Sequence, residues 1–102
     1  MLTHIVLFWL RDPASPSDRE QLADGIRGLA QIDVVRSVKV GFSAQTEARD
    51  VVDHSFSVCE ILTFASVEDQ KAYQVHPLHL RFVEECSHLW QRHVVYDVAD
   101  AD

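Results

Sequence analysis

The hydrophobic positions of the chain follow the period of a strand in some stretches and that of a helix in others, and their order predicts the architecture. Strands rich in β-branched and aromatic residues are predicted at Thr3–Leu10, Val34–Phe42, Phe56–Phe64 and His93–Val98. In the first of these strands both odd and even positions are apolar, so both of its faces must be covered. The polar stretch Ser43–Asp53 has no periodicity and is predicted to be an exposed loop.

The first helix is predicted from an apolar stripe that recurs at every third or fourth position. The stripe comprises Leu22, Ile26 and Leu29. Ser17 is expected to cap the helix in a capping box with Glu20, and the pattern runs to about Gln31. Gly25 and Gly28 each cost a helix up to about 1 kcal/mol relative to alanine, which indicates that the helix approaches the sheet closely there.

The second helix is predicted to begin at Ser66 and to break at Pro77, because proline has no N–H to donate and its ring crowds the preceding turn. Proline also disfavours helical angles at the residue that precedes it, so Pro77 is expected to be the first residue of a new helical segment. In that segment His79 shares a side with Phe82 and Cys86. This spacing directs the imidazole towards the interior.

These elements follow one another in the order β-α-β-β-α-β, which predicts an α+β protein of the ferredoxin-like class with a single domain over residues 1–102. Helices on one side of such a sheet leave its other side bare, and here that side carries many apolar residues. The commonest partner for a bare face is a second copy related by a two-fold axis. We therefore expect a homodimer whose two sheets form an α+β barrel.

In the third strand the pattern alone does not place the charge of Glu60, which shares a face with Val58 and Leu62.

Composition narrows the choice of partners. The chain has 102 residues, of which 47% are hydrophobic, and a net charge of −7. An acidic surface does not attract nucleic acid or an anionic membrane, and no apolar stretch reaches membrane-spanning length. The N-terminus lacks the pattern of a signal peptide. Cys59 and Cys86 form no C-x-x-C pair and are predicted to be free, buried thiols in a reducing compartment, so the protein is expected in the cytoplasm.

Three short motifs carry a family resemblance. They are His4–Phe8, Phe64–Glu68 and the pattern Tyr73-x-x-His76-Pro77-x-His79-x-x-Phe82. With all three in this order, the chain resembles the stress-responsive A/B barrel (Dabb) family of dimeric α/β barrels over nearly its whole length. The resemblance implies a homodimer with a cavity between sheet and helices in each subunit. Most members of the family have no assigned reaction.

One branch of this family is similar to olivetolic acid cyclase, which closes a linear polyketide by aldol condensation without a metal or other cofactor. Likeness to that branch implies Tyr73 and His79 as catalytic residues. The ligand-binding positions that it implies are His4, Ile26, Val58, His76 and Trp90. Ile26 and Val58 stand where that branch has a tyrosine and a histidine, so the cavity is expected to be more apolar.

The pair Tyr73 and His79 has a chemical and a structural interpretation. A neutral imidazole in an apolar pocket can take a proton next to a carbonyl while the phenol donates to the developing enolate oxygen. Alternatively, the phenol caps a carbonyl freed by Pro77 and the imidazole bonds to a neighbour. His76 and His79 are three positions apart, but no carboxylate or thiolate completes a metal site, so no metal is predicted. The remaining histidines, expected to be exposed or structural, are His54, His88 and His93.

Three classes of function follow from these observations. The first is a cofactor-free lyase or polyketide-cyclase-like enzyme that uses Tyr73 and His79. The second is a non-catalytic protein that binds a small apolar or carbonyl-containing molecule in the same cavity. The third is a stress-related structural homodimer, and a monooxygenase of the antibiotic-biosynthesis type is a further alternative. A cavity next to His79 favours the first two, whereas a filled interior favours the third.

Overall fold

The computed structural model describes residues 1–102 and contains one four-stranded antiparallel sheet in the order β2-β3-β1-β4. The strands are β1 Leu2–Leu10, β2 Ser37–Phe42, β3 Val58–Phe64 and β4 Trp90–Ala99. The helices are α1 Pro16–Gly28, α2 Val67–Gln74 and α3 Pro77–Cys86, with short 3-10 turns at Leu29–Gln31 and Ser87–Leu89. This order confirms the predicted α+β ferredoxin-like fold.

β1 lies inside the sheet, between β3 and β4, and its register decides which side chains meet. His4 lies opposite Leu62 of β3 and Asp97 of β4, while Val6 lies opposite Glu60 of β3. Directly opposed residues of an antiparallel pair point to the same face of the sheet. His4, Glu60 and Asp97 therefore all point to the face that the helices cover.

The core lies between this face and the helices. Even-numbered side chains of β1 and β3 are buried there, because the apolar stripes of the helices pack on them. The most deeply buried apolar members of the core are Leu22, Ile26, Leu29, Ile32, Val58, Leu62, Phe64 and Tyr73. α1 packs on β2 and β3, and α2 packs on β3. The helices therefore leave much of β4 uncovered.

The glycines of α1 mark a contact different from the predicted one. A Cβ atom at Gly25 would lie 2.8 Å from the Sγ of Cys86 and 3.2 Å from the ring of Phe82. The close approach at Gly25 is therefore between α1 and α3, and not between α1 and the sheet. A Cβ atom at Gly28 would have no neighbour within 4 Å, so no close contact exists there.

Four predicted starts need correction. α1 is capped by Ser15 instead of Ser17, because Pro16 suits the first helical position and the Asp18 side chain accepts a hydrogen bond from the Ser15 amide over 3.0 Å. β2 begins at Ser37 and not at Val34, because Ser37, opposite Thr63, is its first residue paired with β3. β3 begins at Val58 and not at Phe56, because Val58 is its first residue paired with β1 and β2. β4 begins at Trp90, because that residue already pairs with Leu10 at the end of β1.

The sheet face away from the helices is apolar. Its residues include Ile5, Leu7 and Trp9 of β1, Cys59 and Ile61 of β3, and Val94, Tyr96 and Val98 of β4. Tyr96 and Val98 are 56% and 50% exposed, which agrees with the prediction that one face of the sheet is left bare. None of the helices combines the length and the apolar character that crossing a bilayer requires.

Candidate functional site

A cavity of about 240 Å³ lies between the sheet and the pair α2–α3, over β1 and β4. The lining comprises His4, Val6, Phe8, Glu60, Gln70, Tyr73, Gln74, His79, Phe82, Val83, Trp90, His93, Val95 and Asp97. Its opening runs along β4, where His93, Val95 and Asp97 are exposed. Pockets for drug-sized ligands usually measure roughly 300–1,000 Å³, so this cavity suits a smaller molecule.

A wider groove of about 380 Å³ lies between the start of α1 and the loop that precedes β3. Arg19, the one cationic side chain that lines the groove, lies over the ring of Phe42 at 4.2 Å. His54, the one histidine that lines it, is hydrogen-bonded through its ring to Thr46 over 2.8 Å. No buried titratable group faces this groove. The smaller cavity is therefore the better candidate site, because it alone brings buried acids and bases together.

His79 is oriented by the break between α2 and α3. In a continuous helix the Gln74 carbonyl would accept the amide of Leu78. That amide donates instead to Nδ1 of His76, which caps α3, over 3.0 Å. The freed Gln74 carbonyl accepts a hydrogen bond from Nδ1 of His79 over 3.1 Å. Because a carbonyl can only accept, Nδ1 carries the ring proton and Nε2 of the neutral imidazole keeps its lone pair.

The surroundings of His79 favour its neutral form. Burial lowers the pKa of the imidazole below its usual value, the hydrogen bond to Gln74 opposes this effect, and the nearby His4 adds to it. The net effect is a lowered pKa, so at neutral pH the ring is mostly uncharged. Nε2 of His79 is thus available as a base to a molecule in the cavity.

Tyr73 supplies a hydrogen-bond donor next to this base. Its ring centroid lies 4.5 Å from that of His79 and 5.9 Å from that of His4, and the side chain is 1% exposed. Burial, and after it the charge of Glu60, raises the pKa of the phenol above its usual value. Tyr73 therefore keeps its proton at physiological pH and can donate it in a hydrogen bond.

Three polar groups form the floor of the cavity. Nδ1 of His4 lies 2.6 Å from Oδ1 of Asp97, and Nε2 of His4 lies 3.7 Å from Oε2 of Glu60. Glu60 is 1% exposed, and burial raises its pKa to about 8. A carboxyl with this pKa is mostly protonated at neutral pH. The floor thus presents the protonated carboxyl of Glu60, the ring of His4 and the side chain of Asp97 in sequence towards the surface.

The remaining wall is aromatic. The ring of Trp90 lies 4.7 Å from that of Phe8 and 6.0 Å from that of Phe82, measured between centroids. His93 continues this wall at 5.8 Å from Trp90. Such a wall can accommodate an apolar or aromatic group, which the polar groups of the floor and of α3 could orient.

The structure brings some of the predicted site residues together and leaves others outside the cavity. Those that line the cavity are His4, Tyr73, His79 and Trp90. Ile26 and Val58 are instead fully buried in the core, because α1 covers β2 and β3 while the cavity lies over β1 and β4. His76 caps α3 with Nδ1 and does not line the cavity either.

Sequence reasoning did not single out Glu60, Asp97 or His93 as cavity residues. The signal that identifies the last two is strand parity, since His93, Val95 and Asp97 alternate on one face of β4. That face becomes recognisable only when the pairing of β4 with β1 is known. For Glu60 the signal is a charge on the otherwise apolar face of β3.

The fold and this site define an α+β ferredoxin-like protein in which sheet and paired helices enclose an apolar cavity with an imidazole beside a phenol. The family model of the stress responsive A/B barrel domain (Dabb) matches residues 2–100, so the chain belongs to that family. This result confirms the family that the three sequence motifs indicated. No curated protein matches the sequence at a significant level.

Solved structures share the fold over almost the full chain. An Arabidopsis thaliana protein is 20% identical, with a TM-score of 0.83, and covers 100% of this chain and 97% of its own. The hydroxynitrile lyase of Passiflora edulis is 21% identical, with a TM-score of 0.82 over 99% of this chain and 94% of that chain. A dimeric ferredoxin-like protein of unknown function from Thermobifida fusca is 20% identical, with a TM-score of 0.77 over 97% and 90%. At these identities the likeness shows the fold alone.

Proposed function

We propose that the chain is a cofactor-free enzyme of the lyase or aldol-type cyclase kind, which acts on a small carbonyl compound. The observation that carries the proposal is the hydrogen bond from Nδ1 of His79 to the Gln74 carbonyl, which leaves Nε2 free as a base. Tyr73 lies beside it as a donor, with ring centroids 4.5 Å apart. A base and a donor at an apolar cavity meet the needs of proton abstraction next to a carbonyl.

The proposed reaction is a proton transfer coupled to a change in one carbon–carbon bond. Nε2 of His79 takes a proton from the carbon next to a carbonyl group, and Tyr73 donates a hydrogen bond to the enolate oxygen. The electron pair of the enolate then attacks a second carbonyl carbon, whose oxygen receives the proton from the imidazolium. In the lyase direction Nε2 takes a hydroxyl proton, the adjacent carbon–carbon bond breaks, and the leaving carbon receives that proton.

The size and the walls of the cavity support a small, largely apolar substrate. A volume of about 240 Å³ suits a single ring or a short chain better than a long polyketide. The aromatic residues Phe8, Phe82 and Trp90 suit a ring. The occurrence of a hydroxynitrile lyase on the same fold supports the lyase direction for a compound of this size.

The proposal is tested with mandelonitrile for the lyase direction and with a linear diketone that can close on itself for the cyclase direction. We expect the wild type to convert at least one of the two, followed by benzaldehyde absorbance or by ring-product chromatography. His79→Ala should lower the rate by about 10²–10⁴-fold, the usual worth of a general base. Because the pKa of His79 is lowered, the rate should stay constant as the pH falls through the usual pKa of histidine. It should decrease only at more acid pH, where the ring becomes protonated and can no longer act as a base.

A matched control is His88→Gln, since His88 is an exposed histidine outside the cavity. This variant should retain the wild-type rate. An unchanged rate in His79→Ala would overturn the assignment of the base. Binding of either compound without any turnover would instead make the protein a non-catalytic ligand-binding member of its family.

We infer that the protein acts as a homodimer joined by the bare sheet face. Several ferredoxin-like neighbours are described as dimeric. In this chain the face is apolar across β1, β3 and β4, and no helix covers it. Burying such a face against a second copy removes apolar area from water at about 25 cal/mol per Å².

A further inference from the structure

Glu60 is a buried carboxyl that lines the cavity without a hydrogen-bond partner for Oε1. Its residue is 1% exposed, so bulk water does not supply that partner. Buried polar atoms are almost always hydrogen-bonded, so an unpaired one on a residue that lines a cavity is available to a group bound there. Glu60 is therefore the polar group of the cavity whose hydrogen bonding the protein leaves incomplete.

The neighbouring histidine does not complete it. Nδ1 of His4 is only 2.6 Å from Oδ1 of Asp97, so the ring proton lies between these two atoms. Nε2 of His4 lies 3.7 Å from Oε2 of Glu60, which is beyond hydrogen-bond length. Neither oxygen of Glu60 thus has a hydrogen-bond partner in the protein. A carboxylate without donors is costly to bury, whereas a neutral carboxyl has a proton to donate.

We propose that the Glu60 carboxyl donates a hydrogen bond to the carbonyl oxygen of the ligand, from the floor of the cavity below Tyr73 and His79. This inference deepens the proposed function, because it names the group that holds the oxygen on which negative charge develops. Tyr73 and Glu60 then act as two donors to one oxygen, the arrangement that stabilises an enolate or an alkoxide best. The raised pKa of Glu60, about 8, agrees with a protonated donor at neutral pH.

The ligand class follows from this geometry. The aromatic wall of Phe8, Phe82 and Trp90 takes an apolar body, and the floor takes one neutral oxygen acceptor. A ligand anion is disfavoured, because the chain presents Asp97 at the mouth and no lysine or arginine lines the cavity. Aryl or short alkyl ketones and aldehydes are the compounds that fit.

The test compares acetophenone with ethylbenzene, two probes of similar shape that differ in the carbonyl oxygen. Their affinities for the wild-type protein are measured by NMR titration of the methyl signals of Val6, Val83 and Val95, which line the cavity. We expect acetophenone to bind about tenfold more tightly, the worth of one favourable hydrogen bond. In Glu60→Leu the ratio should fall severalfold, because Tyr73 remains as the only donor to the oxygen, and the affinity for ethylbenzene should be kept or increased. Glu60→Gln, which retains an N–H donor, should keep most of the ratio.

The control is Glu84→Gln, an exposed glutamate on α3 outside the cavity, which should leave the ratio unchanged. Equal affinities of the two probes in the wild type, or an unchanged ratio in Glu60→Leu, would overturn the inference. The measurement needs no turnover, so it is independent of the test of the proposed function. If His79→Ala abolishes the ratio while Glu60→Leu keeps it, the oxygen is held by the helix side and Glu60 has no such role.

Discussion

Glu60 contributes differently to stability at each pH, because its pKa is about 8 in the folded protein and 4.5 for an ordinary glutamate. A raised pKa means that the folded state binds the proton more tightly than the unfolded state. The associated stability is fully present below pH 4.5 and is lost as the pH rises through about 8. His4 and the phenol of Tyr73 are the titratable groups that face this carboxyl.

Glu60→Gln should therefore become more stable relative to the wild type as the pH rises. Glutamine stays neutral at every pH, so the variant lacks the loss that the wild type suffers. We expect the difference in unfolding free energy to grow between pH 5 and pH 8 by up to about 1.4 kcal/mol per pH unit. Urea unfolding at matched protein concentration measures it. A difference that does not change with pH would show that Glu60 titrates normally in the folded protein.

The residues of the site were predictable from the sequence to different degrees. Tyr73 and His79 lie in one local motif, and Pro77 between them signals the break that brings their rings together. Glu60 meets His4 only through the pairing of β3 with β1, which joins residues far apart in the chain. A pattern within one strand carries no information on that pairing, so the position of Glu60 in the cavity is known only from the fold.

At the scale of the elements, the packing of α1 on α3 depends on the absence of a side chain at Gly25. A Cβ atom there would lie 2.8 Å from the Sγ of Cys86, inside van der Waals contact. Because Cys86 and Phe82 are buried, neither can move away freely. The two helices therefore approach each other more closely at this point than alanine would allow.

Gly25→Ala should destabilise the protein although alanine is the better helix former. Overpacking a core costs typically about 1–3 kcal/mol, against a helix-propensity gain of up to about 1 kcal/mol. Gly28→Ala is the matched control, since a Cβ there meets nothing within 4 Å and the gain in propensity remains. Thermal unfolding of both variants decides the matter: a stabilised Gly25→Ala would contradict the packing.

The element boundaries show which local signals suffice. Pro77 alone was enough to predict the start of α3, because the fixed φ angle and the missing N–H of proline interrupt a helix in any sequence context. Ser15 and Ser17 both match a helix cap, and the choice between them depends on Pro16 taking the first helical position. The starts of β2 and β4 depend on pairing with other strands, so the sequence pattern located them only to within three residues.

At the scale of the whole molecule, the bare sheet face should be disrupted by one charge at its centre. Leu7 lies on this face, between β3 and β4. We expect Leu7→Glu to convert a dimer into a monomer, because burying an unpaired carboxylate costs several kcal/mol. Light scattering coupled to size exclusion measures the mass. The matched control is Leu80→Glu, a substitution at an exposed leucine of α3 on the other side of the sheet, which should remain dimeric.

A wild-type protein that elutes with the mass of one chain at micromolar concentration would contradict the dimer directly. A dimer that survives Leu7→Glu would place the interface elsewhere. The sequence alone supported a dimer through the two-sided apolar pattern of β1. It did not show that the cavity opens along β4, because that opening depends on where α2 and α3 end relative to the sheet.

The hydrogen bond that orients His79 has a consequence for how such domains diverge. Its acceptor is a backbone carbonyl at Gln74, which every amino acid at that position would also supply. The side chains of Val6, Val83 and Val95 can therefore change in the course of evolution, altering which molecules fit the cavity, without disturbing the orientation of His79. A lineage that keeps Pro77 and the histidine two positions after it inherits the same orientation of the imidazole, while the shape of the cavity can change around it.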